Sequence, residues 1–442
     1  MAIGGVEGTG WRRDKLGLGV WDGQGKVAIV GWGNSPVDRR WDGVSMDKTY
    51  GAYALIAIKQ ALEDAGVKPE EVDGVVSSPK GMGEGWAPRP IPEDFANTYK
   101  PTDGDPNDGL DGASADWIVN NVPGLDNVSF TMHGPACISN ALVVAAQAVG
   151  DGLAKTCLVV RGTGNIGGRY GQYGAAAADQ ALGASQWTNP WGWQLIPQIA
   201  FGFDQYCRKY GSNHDKMAPF ILNQRRNGSM FPEGFYYQNR PEDLQITTED
   251  YVSARWICKP MNLYDCDLPI QTSWAYLITT ADRAKDMRQK PVYILNHCSQ
   301  RGVVRSLVET LEETEAFTDS IAKKVYEGSG LTANELDICN PYDGFTLFTQ
   351  YYLEGLQWHG VKRGEAHDFW AGDIRVEGPH PFSSSGGNNG NGRTRTWNQT
   401  DTMQQLQGRA GLRQVTIRAE TGLAGAFTPG VADWMVYGIS PD

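Results

Sequence analysis

Gly134-Pro-Ala-Cys-Ile-Ser-Asn-Ala-Leu-Val-Val-Ala-Ala-Gln-Ala-Val-Gly-Asp-Gly152 is the stretch that decides how this chain is built. From Ser139 to Val149 nearly every position is apolar or small, and only Gln147 is both bulky and polar. A helix apolar on all sides is a buried one, and Ala141, Ala145, Ala146 and Ala148 let neighbouring backbones come close. Gly150 and Gly152 end it, and Thr156-Cys-Leu-Val-Val160 then reads as a fully buried strand. The start of such a helix offers unpaired N–H groups and a positive dipole end, so chemistry on an anion belongs there. Cys137 stands at that end.

Upstream, Lys26-Val-Ala-Ile-Val-Gly31 reads as a buried strand, and Tyr50 to Ala65 as an amphipathic helix closed by Gly66. Val67 to Val76 turns into a second strand, and residues 79–115, rich in Pro, Gly and Asp, read as a long loop. The second half repeats this grammar. Pro291-Val-Tyr-Ile-Leu295 is a strand, Ser320 to Tyr326 is the end of a helix, and Gly330 to Asn340 echoes Gly66 to Val76 with Gly, apolar, Glu, apolar and Asp in register. Met403 to Gly411 then leads into Arg413-Gln-Val-Thr-Ile-Arg418, and Ala432 to Gly438 is a last strand. The repeat points to an internal duplication in an α/β fold, with helices buried between two sheets. The Gly-, Trp- and Tyr-rich middle, about 165–285, is expected to be an inserted loop region over the face where the halves meet. The domains are accordingly placed at 26–285 and 286–442.

A chain of 442 residues buries a large core. Its net charge of −12 argues against a nucleic-acid or anionic-membrane surface. Seven cysteines without CxxC spacing indicate reduced thiols, and there is neither a signal-peptide layout nor a long apolar run, so a cytoplasmic, soluble protein is expected.

Several motifs lead nowhere. Gly162-Thr-Gly-Asn-Ile-Gly167 matches a dinucleotide fingerprint, but the glycine-rich Gly168–Gly174 that follows is no helix start, so a loop is favoured. Asp103 to Gly109 has the wrong spacing for a calcium loop. The six histidines never fall in metal-ligand spacing, although His133 and His297-Cys298 remain candidates to face a site, and no GxSxG elbow is present. Two stretches are more informative. Asn340-Pro-Tyr-Asp-Gly-Phe345 follows a buried strand, at the end where α/β proteins place ligands. Ser383-Ser-Ser-Gly-Gly-Asn-Asn-Gly-Asn-Gly-Arg393 has the glycine density of close backbone approach to a ligand or of sharp turns.

Together with Ala61–Gly66, Ala145–Gly152, Gly386-Gly387 and Gln405-Leu-Gln-Gly-Arg-Ala-Gly411, these stretches resemble the thiolase superfamily, in its sterol-carrier and lipid-transfer-type branch, from Lys26 to Gly438. The resemblance implies a duplicated five-layer α-β-α-β-α fold, normally dimeric. Its catalytic positions depart from the family. The nucleophilic cysteine falls on Pro135, the His-Asp-Cys-Phe motif becomes Tyr342-Asp-Gly-Phe345, Gly-His-Pro becomes Gly392-Arg-Thr394, and no cysteine stands between Arg418 and Gly425. Claisen chemistry needs a thiolate and a base.

The branch's steroid side-chain aldolases are similar in this same way. They cleave β-hydroxyacyl-CoA steroids by a retro-aldol reaction without an acyl-enzyme, giving a ketosteroid or aldehyde and a short acyl-CoA. The resemblance implies Tyr342 and Tyr293 as proton-transfer residues. Gly386, Gly387, Asp343, Arg393 and Cys137 are the candidate substrate-binding residues, with backbone N–H groups near Gly386-Gly387 as the expected oxyanion site. Arg393, Arg395 and Arg409 are the cationic candidates, with a solvated face the simpler reading of each. No cofactor or metal is expected, since the CoA thioester is part of the substrate. The implied partner is an acyl-CoA-binding module of zinc-ribbon plus OB-fold type on a MaoC-like hydratase subunit. The alternatives are a degradative thiolase using Cys137 and a non-catalytic acyl-CoA-binding scaffold.

Overall fold

A computed structural model describes residues 21–78, 108–110, 112–133, 139–163, 195–300, 310–394, 396–428 and 431–441. The first half contributes strands β1 (Val27–Asn34), β2 (Gly74–Ser77), β3 (Phe130–His133) and β4 (Thr156–Thr163). A small ribbon of β5 (Trp256–Cys258) and β6 (Met261–Asn262) follows, and then β7 (Thr272–Thr280). The second half supplies β8 (Val292–Gln300), β9 (Ile338–Pro341), β10 (Thr421–Thr428) and β11 (Val431–Gly438).

The sheet order is β3-β2-β4-β7-β1-β8-β11-β10-β9. From the centre outward, β1-β7-β4-β2 pair antiparallel, antiparallel, parallel. From the same centre, β8-β11-β10-β9 pair antiparallel, antiparallel, parallel. The duplication is therefore written in the topology. The fifth position, β3 in the first half, is reduced in the second to a parallel bridge from Cys339 to Phe382. The halves join through Ala28↔Tyr293 and Ile29↔Val292, which makes their two sheets one continuous sheet of nine strands among the described residues.

Strand alternation assigns the layers. Val27, Ile29, Val159, Tyr276, Ile294 and Met435 pack with the helices α3 (Asn140–Gly150) and α10 (Trp397–Gln407). Ala28, Val30, Leu158, Leu277, Leu295 and Val436 go to the opposite side with α1 (Tyr50–Ala65) and α6 (Leu311–Ser329). The two outer helices share their punctuation. Thr49 and Thr310 cap the starts through their hydroxyls, and Gly66 and Gly330 close the ends at φ 72° and 74°, in the left-handed region that glycine adopts freely. Between α1 and α3 lies α2 (Ala115–Asn121).

The middle of the chain departs from the loop expectation. Its described part is mostly helical, with α4 (Leu195–Tyr210), α5 (Ala218–Gly228) and short helices at Phe235–Asn239 and Thr248–Val252. It also holds β7, a core strand between β4 and β1. Thr272-Ser-Trp-Ala-Tyr-Leu-Ile-Thr-Thr280 is covered on both faces, so it lacks the polar alternation that marks a half-exposed strand. Arg413–Arg418, after α10 (Trp397–Gln407), forms no strand. The strand is the small-residue run Thr421–Thr428 just beyond it. Three more helices, α7 (Thr349–Leu356), α8 (Ala366–Trp370) and α9 (Gly387–Asn391), fill the second half between β9 and α10. No helix among the described residues is long and apolar enough to cross a membrane.

α1 lies directly on β1. A Cβ on Gly31 would stand 2.7 Å from Ala65 Cβ, and one on Gly33 would stand 2.5 Å from Ala61 N. Gly33→Val should therefore force the helix off the sheet and cost about 1–3 kcal/mol, seen as a lower urea midpoint at unchanged slope.

Candidate active site

β9 ends at Pro341, and the next three residues make the turn on which the site is built. Tyr342 is tied to β10 by its N–H, which donates to Gly425 O at 2.7 Å, and its ring packs on Ala426. Only 9% of Tyr342 is exposed, so the phenol works in a largely dry setting. At Gly344 a Cβ would collide with the Tyr342 hydroxyl and stand 2.9 Å from Asp267 Oδ2. Glycine is thus required where those two groups come together.

Asp267 reaches this point because residues 265–267 run alongside 344–346. Asp267 N donates to Gly344 O at 3.1 Å, and Cys266 bridges Phe345. Asp265 anchors the strip. Its carboxylate takes hydrogen bonds from Thr346 Oγ1 (2.9 Å), Tyr251 Oη (2.8 Å) and Asn262 N (2.8 Å), and it pairs with His214 Nε2 at 2.7 Å. Asp267 Oδ2 itself accepts from Asn388 Nδ2 at 3.2 Å.

Ser383–Arg393 is no open loop. It is buried throughout and contains α9. A Cβ on Gly386 would stand 2.7 Å from Gly228 N and 2.8 Å from Gln224 O, and Gly390 and Gly228 each face the other's backbone, so α9 touches α5 main chain to main chain. Asp343, wholly buried, spans the start of α9: Oδ1 accepts from Asn388 N at 2.7 Å and Oδ2 from Asn389 N at 3.0 Å. Burial pushes its carboxyl up to about 6, against the pull of those two N–H groups and of Arg225.

Beneath the turn, Asn340 Nδ2 donates to Asp401 Oδ2 and Thr402 Oγ1, both at 3.0 Å, and its Oδ1 accepts from Ser385 N at 3.2 Å. Ser384 Oγ donates to Asp401 Oδ2 at 2.6 Å, and Arg413 pairs with the other oxygen of Asp401. Asn398 Nδ2 holds Pro341 O at 2.5 Å. Across the halves, the start of α3 is gripped by the second copy. Ser139 N donates to Asp433 Oδ2 at 2.6 Å, and Gln399 Nε2 donates to Ser139 Oγ at 2.5 Å.

The structure treats the expected site residues differently. Tyr342 and Asp343 sit where the sequence placed them, and both oxygens of Asp343 accept backbone N–H groups at the start of α9 and so position that helix. The N–H groups of Gly386 and Gly387 are taken by Ser383 O (3.0 Å) and Ser385 Oγ (2.9 Å), which corrects the oxyanion expectation. Arg393 is buried rather than solvated: its N–H donates to Leu268 O at 2.8 Å and its carbonyl accepts from Thr163 Oγ1 at 3.3 Å. Arg409 pairs instead with Asp64 at 2.6 Å. Cys137 and Arg395 lie outside the described residues.

Tyr293 does not join Tyr342. It pairs with Ala28 and Gly438 at the seam of the halves, and its side chain belongs to the outer layer with Leu295. Tyr342 instead sits beside Gly425, which faces Trp434, which faces Cys298. That register leaves the two tyrosines roughly 20 Å apart, at about 3.3 Å per residue and 4.8 Å per strand. His297 is half-buried against Trp21, and desolvation there pulls its imidazole down to about 4, while His133 is exposed at the end of β3. The residues that sequence reasoning missed are Asp267 and Asn388. The only hint of them was the asparagine density of 388–391.

Residues 304–432 match the thiolase C-terminal domain-like family. The chain is similar to a steroid side-chain-cleaving aldolase of Thermomonospora curvata, 26% identical over 348 residues that cover 76% of this chain and 79% of that one. It is also similar to a 17-hydroxy-3-oxo-4-pregnene-20-carboxyl-CoA lyase of Mycobacterium tuberculosis, 27% identical over 421 residues, 90% of this chain and 97% of that one. Among solved structures, an Ltp2-ChsH2(DUF35) aldolase superposes with a TM-score of 0.73 at 22% identity, covering 94% of this chain and 98% of that one.

Asp343→Asn sets an amide NH2 against a backbone N–H at the start of α9, and should cost about 1–3 kcal/mol. Between 3.8 and about 6 the folded chain still holds the Asp343 proton that the unfolded chain has released, so this group lowers stability as pH rises through that window. Denaturation of the wild type and Asp343→Asn across that range should show a fall in wild-type stability, relative to the variant, as pH rises.

Proposed function

We propose that this chain, a member of the thiolase superfamily, is an aldol lyase that cleaves the side chain of a steroid or bile-acid β-hydroxyacyl-CoA by a retro-aldol reaction. The observation that carries the reading is Tyr342, a nearly buried phenol at the carboxyl end of β9 with Asp267 and Asn388 around it. A dry site of this kind suits proton transfer. The similarity to two carbon–carbon lyases of steroid side chains, each spanning most of both chains, supports the same chemistry.

The reaction asks for a base on the β-hydroxyl, stabilisation of the enolate formed when the Cα–Cβ bond breaks, and a proton returned to Cα. Tyr342 takes the hydroxyl proton. The hydroxyl-bearing carbon becomes the carbonyl of a ketosteroid or aldehyde, and a short acyl-CoA leaves as its enolate. With Gly386 and Gly387 engaged in their own turn, the thioester oxygen draws its donors from elsewhere. Neither a cofactor nor a metal enters this scheme, because the thioester already acidifies Cα.

A DUF35-type partner fits the composition of the similar aldolase structure. We assign this chain a homodimeric core and an acyl-CoA-binding module of zinc-ribbon and OB-fold type on a MaoC-like hydratase subunit. A net charge of −12 makes a separate CoA-binding module useful to a chain that must handle a polyanion.

Turnover of a 17-hydroxy steroid side-chain acyl-CoA, with the partner module co-expressed, tests the reading. The expected products are a 17-ketosteroid and a short acyl-CoA. Tyr342→Phe should lower kcat by about 100- to 10,000-fold, and Cys137→Ser should leave it unchanged. Loss with Cys137→Ser instead, on a 3-ketoacyl-CoA with free CoA, would make the chain a thiolase. Binding without turnover of either substrate would make it a scaffold.

A further inference from the structure

We infer that Asp267 is the positioning partner of Tyr342: its carboxylate orients the phenol and holds the proton that Tyr342 gives up while the phenol oxygen takes the substrate's. This deepens the function proposed above and rests on it. The geometry is local. The Tyr342 hydroxyl and Asp267 Oδ2 crowd one point, the place a Gly344 side chain would occupy. Asp267 is 5% exposed and is fixed from two directions, by its own N–H on Gly344 O and by the amide of Asn388 on Oδ2. The strip that carries it is anchored by the buried Asp265 cluster with His214, Tyr251 and Thr346. An acidic side chain held this firmly beside a phenol has a chemical use that an exposed one lacks, because a charge in a dry site interacts strongly with its neighbour.

The proton inventory closes. As the β-hydroxyl gives its proton to the Tyr342 oxygen, the phenol proton moves to Asp267. After the Cα–Cβ bond breaks, Tyr342 delivers a proton to Cα of the enolate and recovers one from Asp267. No proton is gained or lost over the cycle. Charged or titratable groups on the elements packed around this pair include Asp343, occupied by the start of α9, Arg225, Arg393, Cys266, Asp265 with His214, Tyr264, and Asp433, which faces Ala426.

Two measurements test the inference. The first is the ionisation of the Tyr342 phenol, read by difference absorbance between otherwise identical proteins with and without Tyr342→Phe. A neighbouring carboxylate keeps a phenol protonated to higher pH, so Asp267→Asn should lower this titration by about one unit or more. This readout needs no substrate, so it stands whether or not the aldolase reading does. The second is steady-state turnover of the holo-complex. Asp267→Asn should lower kcat by about 10-fold or more with KM little changed, and Asp267→Glu should restore part of the loss. An unmoved phenol titration in folded Asp267→Asn overturns the inference whatever the activity. A moved titration with wild-type kcat overturns the proton-holding role. Full turnover in Tyr342→Phe would instead remove the function proposed above.

Discussion

Backbone touches backbone where α5 meets α9, and the rest of the site depends on that contact. Gly228, Gly386 and Gly390 leave no side chain between the two elements, so α9 is pressed far enough inward for its first N–H groups to reach Asp343. Asp343 follows Tyr342 directly, so holding the one carboxylate sets the turn from which the phenol projects. Asp267 arrives on the other side through its own main-chain bond to that turn. Tyr342, Asp343 and Asp267 are thus placed by main-chain geometry, which varies far less than side-chain rotamers do.

The central helices of the two copies show how far a duplication can diverge without changing topology. α3 is nearly all apolar, as a helix buried in the core should be. Its counterpart α10, Trp-Asn-Gln-Thr-Asp-Thr-Met-Gln-Gln-Leu-Gln, is just as buried and almost wholly polar. Buried polar groups are costly unless partnered, and these have partners: Asp401 holds Arg413, Asn340 and Ser384, Asn398 holds the end of β9, and Gln405 holds Arg413 O. The second copy exchanges oily packing for a hydrogen-bonded clamp on the turn that bears Tyr342.

That exchange also explains which parts could be read from sequence. Strands β1, β2, β4, β8, β9 and β11 and the outer helices were legible, helped by the glycines that close α1 and α6 at matching places in both halves. Tyr342 was legible because a local motif keeps its position. α10 was not, since its polarity is that of a surface helix. The dense glycines of 383–393 were read as close backbone approach, and in the structure the approaching element is α5. Tyr293 entered through the resemblance alone, and β8, buried on both faces, has no period that says which face is the inner one. Asp267 was invisible because its place depends on a bridge between segments distant in the chain.

The grip of Ser139 by Asp433 and Gln399 carries a consequence for the architecture as a whole. The beginning of the first copy's central helix is held by side chains of the second. Separated, the second copy would keep a buried carboxylate stripped of its donor, and the first would lose the anchor at the start of α3. The ancestral repeat has ceased to be modular: its two copies are now one cooperative unit, each completing the other's interior.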